Sequence, residues 1–178
     1  MANMSSGNEA SKSGKQIVDR SVVTASWGAA GGDWAVLVHG GAGGVPADGA
    51  DLHTAGCLEA ARAAAAILRG GGSALDAAQR AVFVLEDLPV FNAGTGACLN
   101  AEGLVELDAA LMEGAGLRAG AVCALPPFSH PIAIARAALE DGRHVLYAGD
   151  GAARFARDHG FEPSSSEAMT TAPARARW

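Results

Sequence analysis

A glycine-rich run that begins with a histidine, His39-Gly40-Gly41-Ala42-Gly43, is the first segment whose residue types could serve a reaction. A phosphate-binding loop would need a following Lys-Ser or Lys-Thr, or a Gly-x-Gly-x-x-Gly register, and neither is present. The spacing therefore favours an oxyanion loop or a close backbone approach over nucleotide binding. From the residues alone, we interpret His39 as a histidine hydrogen-bonded in the core at the end of a strand.

A second such segment spans residues 85–96, where a helical pattern ends in two acids and Leu-Pro and an irregular loop follows. The loop offers few side-chain ligands but many backbone carbonyls, and a cage of carbonyls suits a hard, weakly held monovalent cation. Spacing alone favours a plain capped helix end over a cation site. Within the loop, the amide of Asn92 could orient a nearby nucleophile.

Glu106 and Asp108 lie two apart on a predicted strand and so face the same side, as paired carboxylates for acid–base chemistry would. Solvated or ion-paired strand residues are the commoner explanation of such a pair. No nucleophile is evident, because Gly-x-Ser-x-Gly is absent and the serines at 164–166 lie in an unpatterned tail. The residues themselves therefore supply no complete catalytic group.

Short elements are predicted to position these segments. The apolar run at residues 34–38 predicts a buried strand that leads into the glycine loop. Ser73 and Asp76 have the spacing of a capping box, which predicts a helix that stops before Pro89. The other predicted elements are helices at 50–68, 131–140 and 150–159, strands at 118–125 and 144–148, and a hairpin of strands 97–99 and 104–112 around a turn at 100–103.

The order of these elements predicts an α/β (α+β) domain with helices layered on stacked sheets, because the strands are bunched as well as alternating with helices. Residues 1–32 are polar and are predicted to be a disordered extension. Residues 33–161 would form the domain. Residues 162–178, rich in Pro, Ser, Thr and Ala, are predicted to be a flexible linker.

Composition excludes several classes of protein. The chain has 178 residues and a net charge of −6, without a basic stripe, so a nucleic-acid partner is not expected. No apolar run reaches the roughly 18 residues of a membrane span, and the polar N-terminus is neither a signal peptide nor a lipid anchor. Cys57, Cys98 and Cys123 are odd in number and far apart, which fits no disulfide framework or zinc site and favours a reducing cytoplasm.

The part from about Val36 to His159 resembles the α-subunit of the plant-type (class 2) L-asparaginase and isoaspartyl peptidase family of N-terminal-nucleophile hydrolases. Departures from the family pattern are Glu113, where aspartate is usual, and the polar N-terminal extension. The matching sequence motifs are His39-Gly-Gly-Ala-Gly43, Gly72-Ser-Ala-Leu-Asp76, Phe91-Asn-Ala-Gly-Thr-Gly-Ala97, Glu106-Leu-Asp-Ala109, Met112-Glu-Gly114 and Ala119-Gly-Ala-Val122.

The resemblance implies a four-layer αββα sandwich of which this chain is the N-terminal, α-subunit half. A β-subunit from the same precursor would supply the rest, in an (αβ)2 assembly. Its N-terminal threonine would be the nucleophile, in a Thr-Val-Gly-Ala context that this sequence lacks; Thr170 and Thr171 precede Ala-Pro. The implied activity is cleavage of L-asparagine to aspartate and ammonia and of β-aspartyl (isoaspartyl) dipeptides, with this chain alone inactive.

The resemblance also implies roles for residues of the two segments. Asn92 would position the threonine of the β-subunit, and Gly40 and Gly41 would lie near it. A structural sodium ion, with no organic cofactor, would be held by the backbone carbonyls of Leu85, Glu86, Leu88, Phe91, Ala93 and Thr95.

The sequence leaves three other hypotheses about function open. An aspartylglucosaminidase or a taspase-like endopeptidase would share the fold and the self-cleavage but prefer bulkier substrates. A non-catalytic scaffold could have kept the half-fold after losing the β-part. A nucleotide-binding domain ranks last and would show thermal stabilisation by nucleotides.

Overall fold

A computed structural model describes residues 34–45 and 49–178 of the chain, so the predicted extension at 1–32 lies outside the described residues. Six helices and three strands make up this part, in the order α1 (Ala50–Arg69), α2 (Ala74–Asp87), β1 (Leu107–Met112), β2 (Ala119–Leu125), α3 (Pro131–Asp141), β3 (Leu146–Ala148), α4 (Gly149–Asp158), α5 (Ser166–Met169) and α6 (Ala172–Arg177). Mixed helices and a small sheet agree with the predicted α+β class.

Helices α1 and α2 pack closely because small side chains line their contact. Ala60 and Ala64 of α1 are buried in one cluster with Ala77 and Ala81 of α2. The predicted capping box is confirmed: the Ser73 hydroxyl accepts from the N–H of residue 76, whose own carboxylate accepts from the Ser73 N–H. Alanine costs no side-chain entropy in a helix, so this pair gains close packing at little cost.

The sheet has the strand order β1-β2-β3, with β1 antiparallel and β3 parallel to β2. Helices α3 and α4 cover the face on which Val122 is buried. Gly120 lies on that face under α3, where a Cβ atom would come within 2.3 Å of the Ala135 carbonyl oxygen. The missing side chain therefore sets how closely α3 approaches the sheet.

The opposite face of the sheet is apolar and open to solvent. Ala110 on β1 pairs with Ala121 on β2, and Ala121 pairs in turn with Leu146 on β3. Met112, on the same face, is 59% exposed and Leu146 is 54% exposed. We call this surface the bare face; its residues are Ala110, Met112, Ala119, Ala121, Cys123, Leu146 and Ala148.

The strand predicted at residues 34–38 is wrong, since these residues form no ladder with any described strand. Val36 and Val38 nevertheless pack against the α1–α2 cluster, which explains the apolar pattern. A strand needs hydrogen-bonding neighbours as well as a buried side, and the three strands of the sheet pair with one another elsewhere.

The predicted hairpin forms only in part. Its turn is closed by the hydrogen bond from the Asn100 N–H to the Leu104 carbonyl at 2.9 Å, and Leu99 pairs with Val105 in a single bridge. From Leu107 onward the second predicted strand pairs with β2 instead, with an irregularity in the register between Leu107 and Ala109. The remaining predicted helices and strands are present with small shifts in their ends, which is the usual uncertainty of a boundary.

The tail differs from the unpatterned segment expected at 162–178, because it contains α5 and α6. Ser165 and Thr171 cap these helices through their hydroxyl groups, and Met169 and Ala174 are buried. Helices of four and six residues are too short to show a periodicity in sequence. The domain boundary at residues 33–161 stays a prediction.

None of the described helices combines the length and apolar character that a membrane crossing requires.

Candidate functional site

The glycine-rich loop and the loop after α2 meet around the ring of Phe91, which is 3% exposed. A Cβ atom on Gly40 would lie 2.8 Å from one edge of this ring and 2.7 Å from the Cys57 sulfur. A Cβ atom on Gly56 of α1 would lie 2.6 Å from the other edge. Two glycines therefore enclose one aromatic ring, and this contact brings the two predicted segments together.

The glycine loop turns sharply at Gly41, whose φ of 106° is a conformation that residues with a side chain rarely adopt. The Gly41 N–H donates to the Nδ1 atom of His39 at 3.0 Å. His39 is exposed, so the expectation that it lies in the core is wrong, although its hydrogen bond is present. Its ring stabilises the turn locally because it accepts from a residue only two positions away.

The loop after α2 folds back onto the end of that helix. The Thr95 N–H donates to the Glu86 carbonyl at 2.8 Å, and the Phe91 N–H donates to the Leu88 carbonyl at 3.2 Å. Gly94 has a φ of 49°, and a Cβ atom there would lie 2.5 Å from the Glu86 carbonyl oxygen. The tail holds the other side of the loop, since the Gly96 N–H donates to the Met169 carbonyl at 2.9 Å.

Asn92 is exposed at the tip of this loop. Its Oδ1 atom accepts from the Cys98 N–H at 2.7 Å, which fixes the orientation of the amide. Among the described residues the oxygen is occupied in this way and the NH2 group is not. The side chain therefore presents two donors outward while its acceptor stabilises the loop.

A cavity of 480 Å³ lies between the two loops. Gly40, Gly41 and Asn92 all border it, together with His53, whose Nδ1 lies 2.8 Å from the Gly49 carbonyl. Arg177, at the end of α6, borders it from the tail. The structure thus gathers Gly40, Gly41 and Asn92 around one cavity that Leu85, Phe91 and Ala93 of the predicted sodium set also border. His53 and Arg177 are residues of this cavity that the sequence analysis did not single out.

A second cavity, of 280 Å³, is also bordered by Asn92 and contains Glu106 and Asp108 in its lining. The Asp108 Oδ1 accepts from the N–H of Ala124, a residue held at a φ of 45°. This bond explains Asp108 as a group that stabilises a strained backbone position in β2. The two carboxylates share a cavity, but the pairing suggested by their spacing is not seen as a direct contact.

The side chain of Glu86 is a buried carboxylate. The sequence analysis named this residue only for its backbone carbonyl, as a ligand of sodium. It is 2% exposed, and its Oε1 atom accepts from the Ile132 N–H at 3.1 Å, in the first turn of α3. Its Oε2 atom lies 3.3 Å from the Nδ1 atom of His130. Burial raises the pKa of Glu86 to about 8, the nearby charge of Asp87 adds to this effect and the Ile132 N–H opposes it.

The six carbonyls named for sodium lie around this helix end and loop. Pro89 has no N–H, so the Leu85 carbonyl lacks the donor that would normally follow four residues later in a helix. The carbonyls of Glu86 and Leu88 each accept one hydrogen bond, and a carbonyl oxygen can accept two interactions. The donor set is therefore compatible with a hard monovalent ion.

Comparison with known proteins assigns the family. Residues 32–178 match the family model described as asparaginase. The chain is 43% identical to an isoaspartyl peptidase/L-asparaginase of Danio rerio over 143 residues, which are 80% of this chain and 46% of that protein. It is 45% identical to a plant-type L-asparaginase of Pyrococcus abyssi over 141 residues, 75% of this chain and 45% of that one.

The human isoaspartyl peptidase/L-asparaginase is 44% identical over 137 residues, which are 76% of this chain and 44% of the human protein. The chain belongs to the asparaginase family. It spans slightly less than half the length of these relatives.

Proposed function

We propose that this chain is the α-subunit of a self-cleaving threonine hydrolase that converts L-asparagine to aspartate and ammonia and hydrolyses β-aspartyl dipeptides. Family membership supports the reaction, because the relatives are named for these two activities. The observation that carries the proposal is the bare face of the sheet, together with a chain about half as long as its relatives.

An apolar sheet face of this kind is stable when another layer covers it. A second sheet, backed by its own helices, would complete a four-layer αββα sandwich. The relatives contain as many further residues as this chain matches, and we assign the second sheet to that portion, the β-subunit. The proposed assembly is (αβ)2, in the cytoplasm.

In the proposed reaction, the hydroxyl of the β-subunit's N-terminal threonine attacks the side-chain amide or isopeptide carbon. The free amine of the same residue takes the hydroxyl proton and returns it to the departing nitrogen. The C–N bond breaks, ammonia or an amino acid leaves, and an aspartyl ester remains on the threonine. Water then hydrolyses this ester, releasing aspartate and restoring the hydroxyl.

Asn92 is the residue of this chain to which we assign the positioning of the nucleophilic threonine. The hydrogen bond from the Cys98 N–H to Oδ1 holds the amide, and the two donors of its NH2 group have no partner among the described residues. Donation to the threonine hydroxyl oxygen would fix the direction of attack, and orientation of a reacting group accounts for a large part of enzymatic rate acceleration.

Gly40 and Gly41 border the same cavity and would lie near the reacting carbonyl. The packing of Gly40 against Phe91 fixes the position of this loop relative to Asn92. The two loops would therefore present their backbone and amide groups to the substrate as one unit.

A sodium ion held by the six carbonyls named above would stabilise the loop that carries Asn92. It would offset the partial negative charge of the carbonyls at the C-terminal end of α2. The role of the ion would be structural, because the proposed positioning of the threonine is by the side chain of Asn92 and not by any carbonyl of the loop.

The proposal is tested on protein expressed from the full-length reading frame. Intact mass and N-terminal sequencing should find a second polypeptide that begins with threonine, and the purified protein should release ammonia from L-asparagine. A single uncleaved chain without activity on asparagine or on β-aspartyl-leucine would refute the enzyme and leave the scaffold hypothesis.

A further inference from the structure

Helix α5 of the tail is held in place by hydrogen bonds at its beginning. Before the helix, the Ser164 N–H donates to the Pro127 carbonyl at 2.9 Å, shortly after the end of strand β2. The Ser165 hydroxyl then caps the helix by accepting from the Ala168 N–H at 3.1 Å. Because a helix of four residues is not stable in isolation, contacts such as these decide where it lies.

Met169, the last residue of α5, joins the main core to the candidate site. Its side chain is 2% exposed and lies in the same core cluster as Val122 of β2 and Phe155 of α4. Its backbone carbonyl accepts from the Gly96 N–H at 2.9 Å, in the loop that carries Asn92. The buried side chain therefore fixes the position of a carbonyl that holds this loop.

Gly96 transmits this restraint because the loop is tightly wound around it. Its φ is 99°, and a Cβ atom on it would lie 2.6 Å from the Pro89 carbonyl oxygen. Two residues further on, the Cys98 N–H donates to the Oδ1 atom of Asn92 at 2.7 Å. A displacement of Gly96 would therefore move the N–H that holds the Asn92 amide.

We propose that Met169 is a positioning residue for the reaction and acts on Asn92 through Gly96. The proposal rests on the proposed function for the role of Asn92, whose amide must be placed accurately in order to orient the threonine. The tail then contributes to catalysis, although its composition is that of a linker.

The test uses the full-length protein with Met169→Ala, and with Met169→Leu, which keeps a side chain of similar volume. Ile134→Ala is the matched control, because Ile134 is buried in the same core cluster and takes part in none of the hydrogen bonds described for the loop. We expect Met169→Ala to lower kcat about tenfold with KM changed less than about twofold, since a positioning contact is disturbed while binding contacts remain. Met169→Leu should recover most of the lost kcat.

Melting temperatures separate positioning from a general loss of stability. Both alanine variants leave a cavity in the core, so both should melt at a lower temperature than the wild type. Only Met169→Ala should lose turnover at a temperature where all variants are folded. Equal losses of kcat in Met169→Ala and Ile134→Ala, or an unchanged kcat in Met169→Ala, overturn the proposal.

Hydrogen exchange gives a readout that requires no substrate. Amides of residues 92–98 should exchange faster in Met169→Ala than in the wild type and in Ile134→Ala, because the loop has lost a restraint. This result supports the holding of the loop by Met169 even if the protein does not hydrolyse asparagine, an outcome that overturns the proposed function alone. A Gly96 amide that exchanges without protection in the wild type overturns the inference, whether or not Met169→Ala folds.

Discussion

The carboxylate of Glu86, at the end of α2, accepts a hydrogen bond from the Ile132 N–H, in the first turn of α3, at 3.1 Å. The backbone carbonyl of the same residue accepts from Thr95, in the loop that carries Asn92. One buried residue thus joins two helices and the site loop.

Replacing Glu86 by Ala should lower the free energy of unfolding by about 2–4 kcal/mol, because the Ile132 N–H would be buried without an acceptor. Glu86→Gln keeps an oxygen at that position and should lose much less. Urea unfolding measures both. Equal losses in the two variants would show that the hydrogen bond from Ile132 does not account for the stabilisation by Glu86.

Gly40→Ala should disturb the contact of the glycine loop with Phe91, since the added Cβ atom would lie 2.7 Å from the Cys57 sulfur and 2.8 Å from the ring. Overpacking of this kind costs about 1–3 kcal/mol. Gly43→Ala is the control, because a Cβ atom there meets nothing within 4 Å. Thermal unfolding should separate the two variants, and equal melting temperatures would contradict the close contact.

Asn92→Asp keeps the oxygen that accepts from Cys98 but removes the two outward donors. We expect the fold to persist and turnover to fall about 100-fold, the size of effect that misplacement of a reacting group has. Asn92→Ala should also lose the loop hydrogen bond, with about 1 kcal/mol of stability. Normal turnover by either variant would remove Asn92 from the mechanism.

Asp76 should stabilise the protein in a pH-dependent way. Hydrogen bonds from Ser73, with a further one from Arg136, hold the pKa of this carboxyl below its usual value of 3.8. A lowered folded-state pKa favours the native state above pH 3.8, and this contribution disappears as the pH falls through the folded-state value. The difference in urea midpoint between wild type and Asp76→Asn should therefore shrink below pH 3.8, and a constant difference would contradict the assignment.

Sodium should stabilise the protein if the carbonyls near Pro89 hold it. Exchange of sodium for choline at constant ionic strength should lower the melting temperature, and added sodium should restore it in a concentration-dependent way. A melting temperature that does not respond to sodium would remove the ion from the proposal.

The sequence was most informative where the structure depends on neighbours in the chain. The capping box of Ser73 and Asp76 and the stop at Pro89 are local signals, and the helices formed where they predicted. The enclosure of Phe91 by Gly40 and Gly56 was not predictable, because it joins three segments through contacts distant in sequence. The side chain of Glu86 was missed because its partner, Ile132, lies 46 residues away.

Two differences between the sequence analysis and the structure have the same physical origin. Residues 34–38 have the apolar pattern of a strand, but whether such a run pairs depends on which neighbours the fold places beside it. The tail has the composition of a linker, yet its cap residues and the burial of Met169 give it two helical turns. In both cases the local sequence did not reveal which other segments the fold places beside it.

The bare face also bears on the order in which folding and the proposed cleavage would take place. A sheet surface that carries Met112 and Leu146 largely exposed would promote association with any other apolar surface it met in the cell. In the proposed precursor, linkage of both halves would supply the covering sheet at a high effective concentration before an unrelated partner could reach it. The cut between the halves would then follow folding, and the separated chains would be expected to rejoin poorly once each had been unfolded alone.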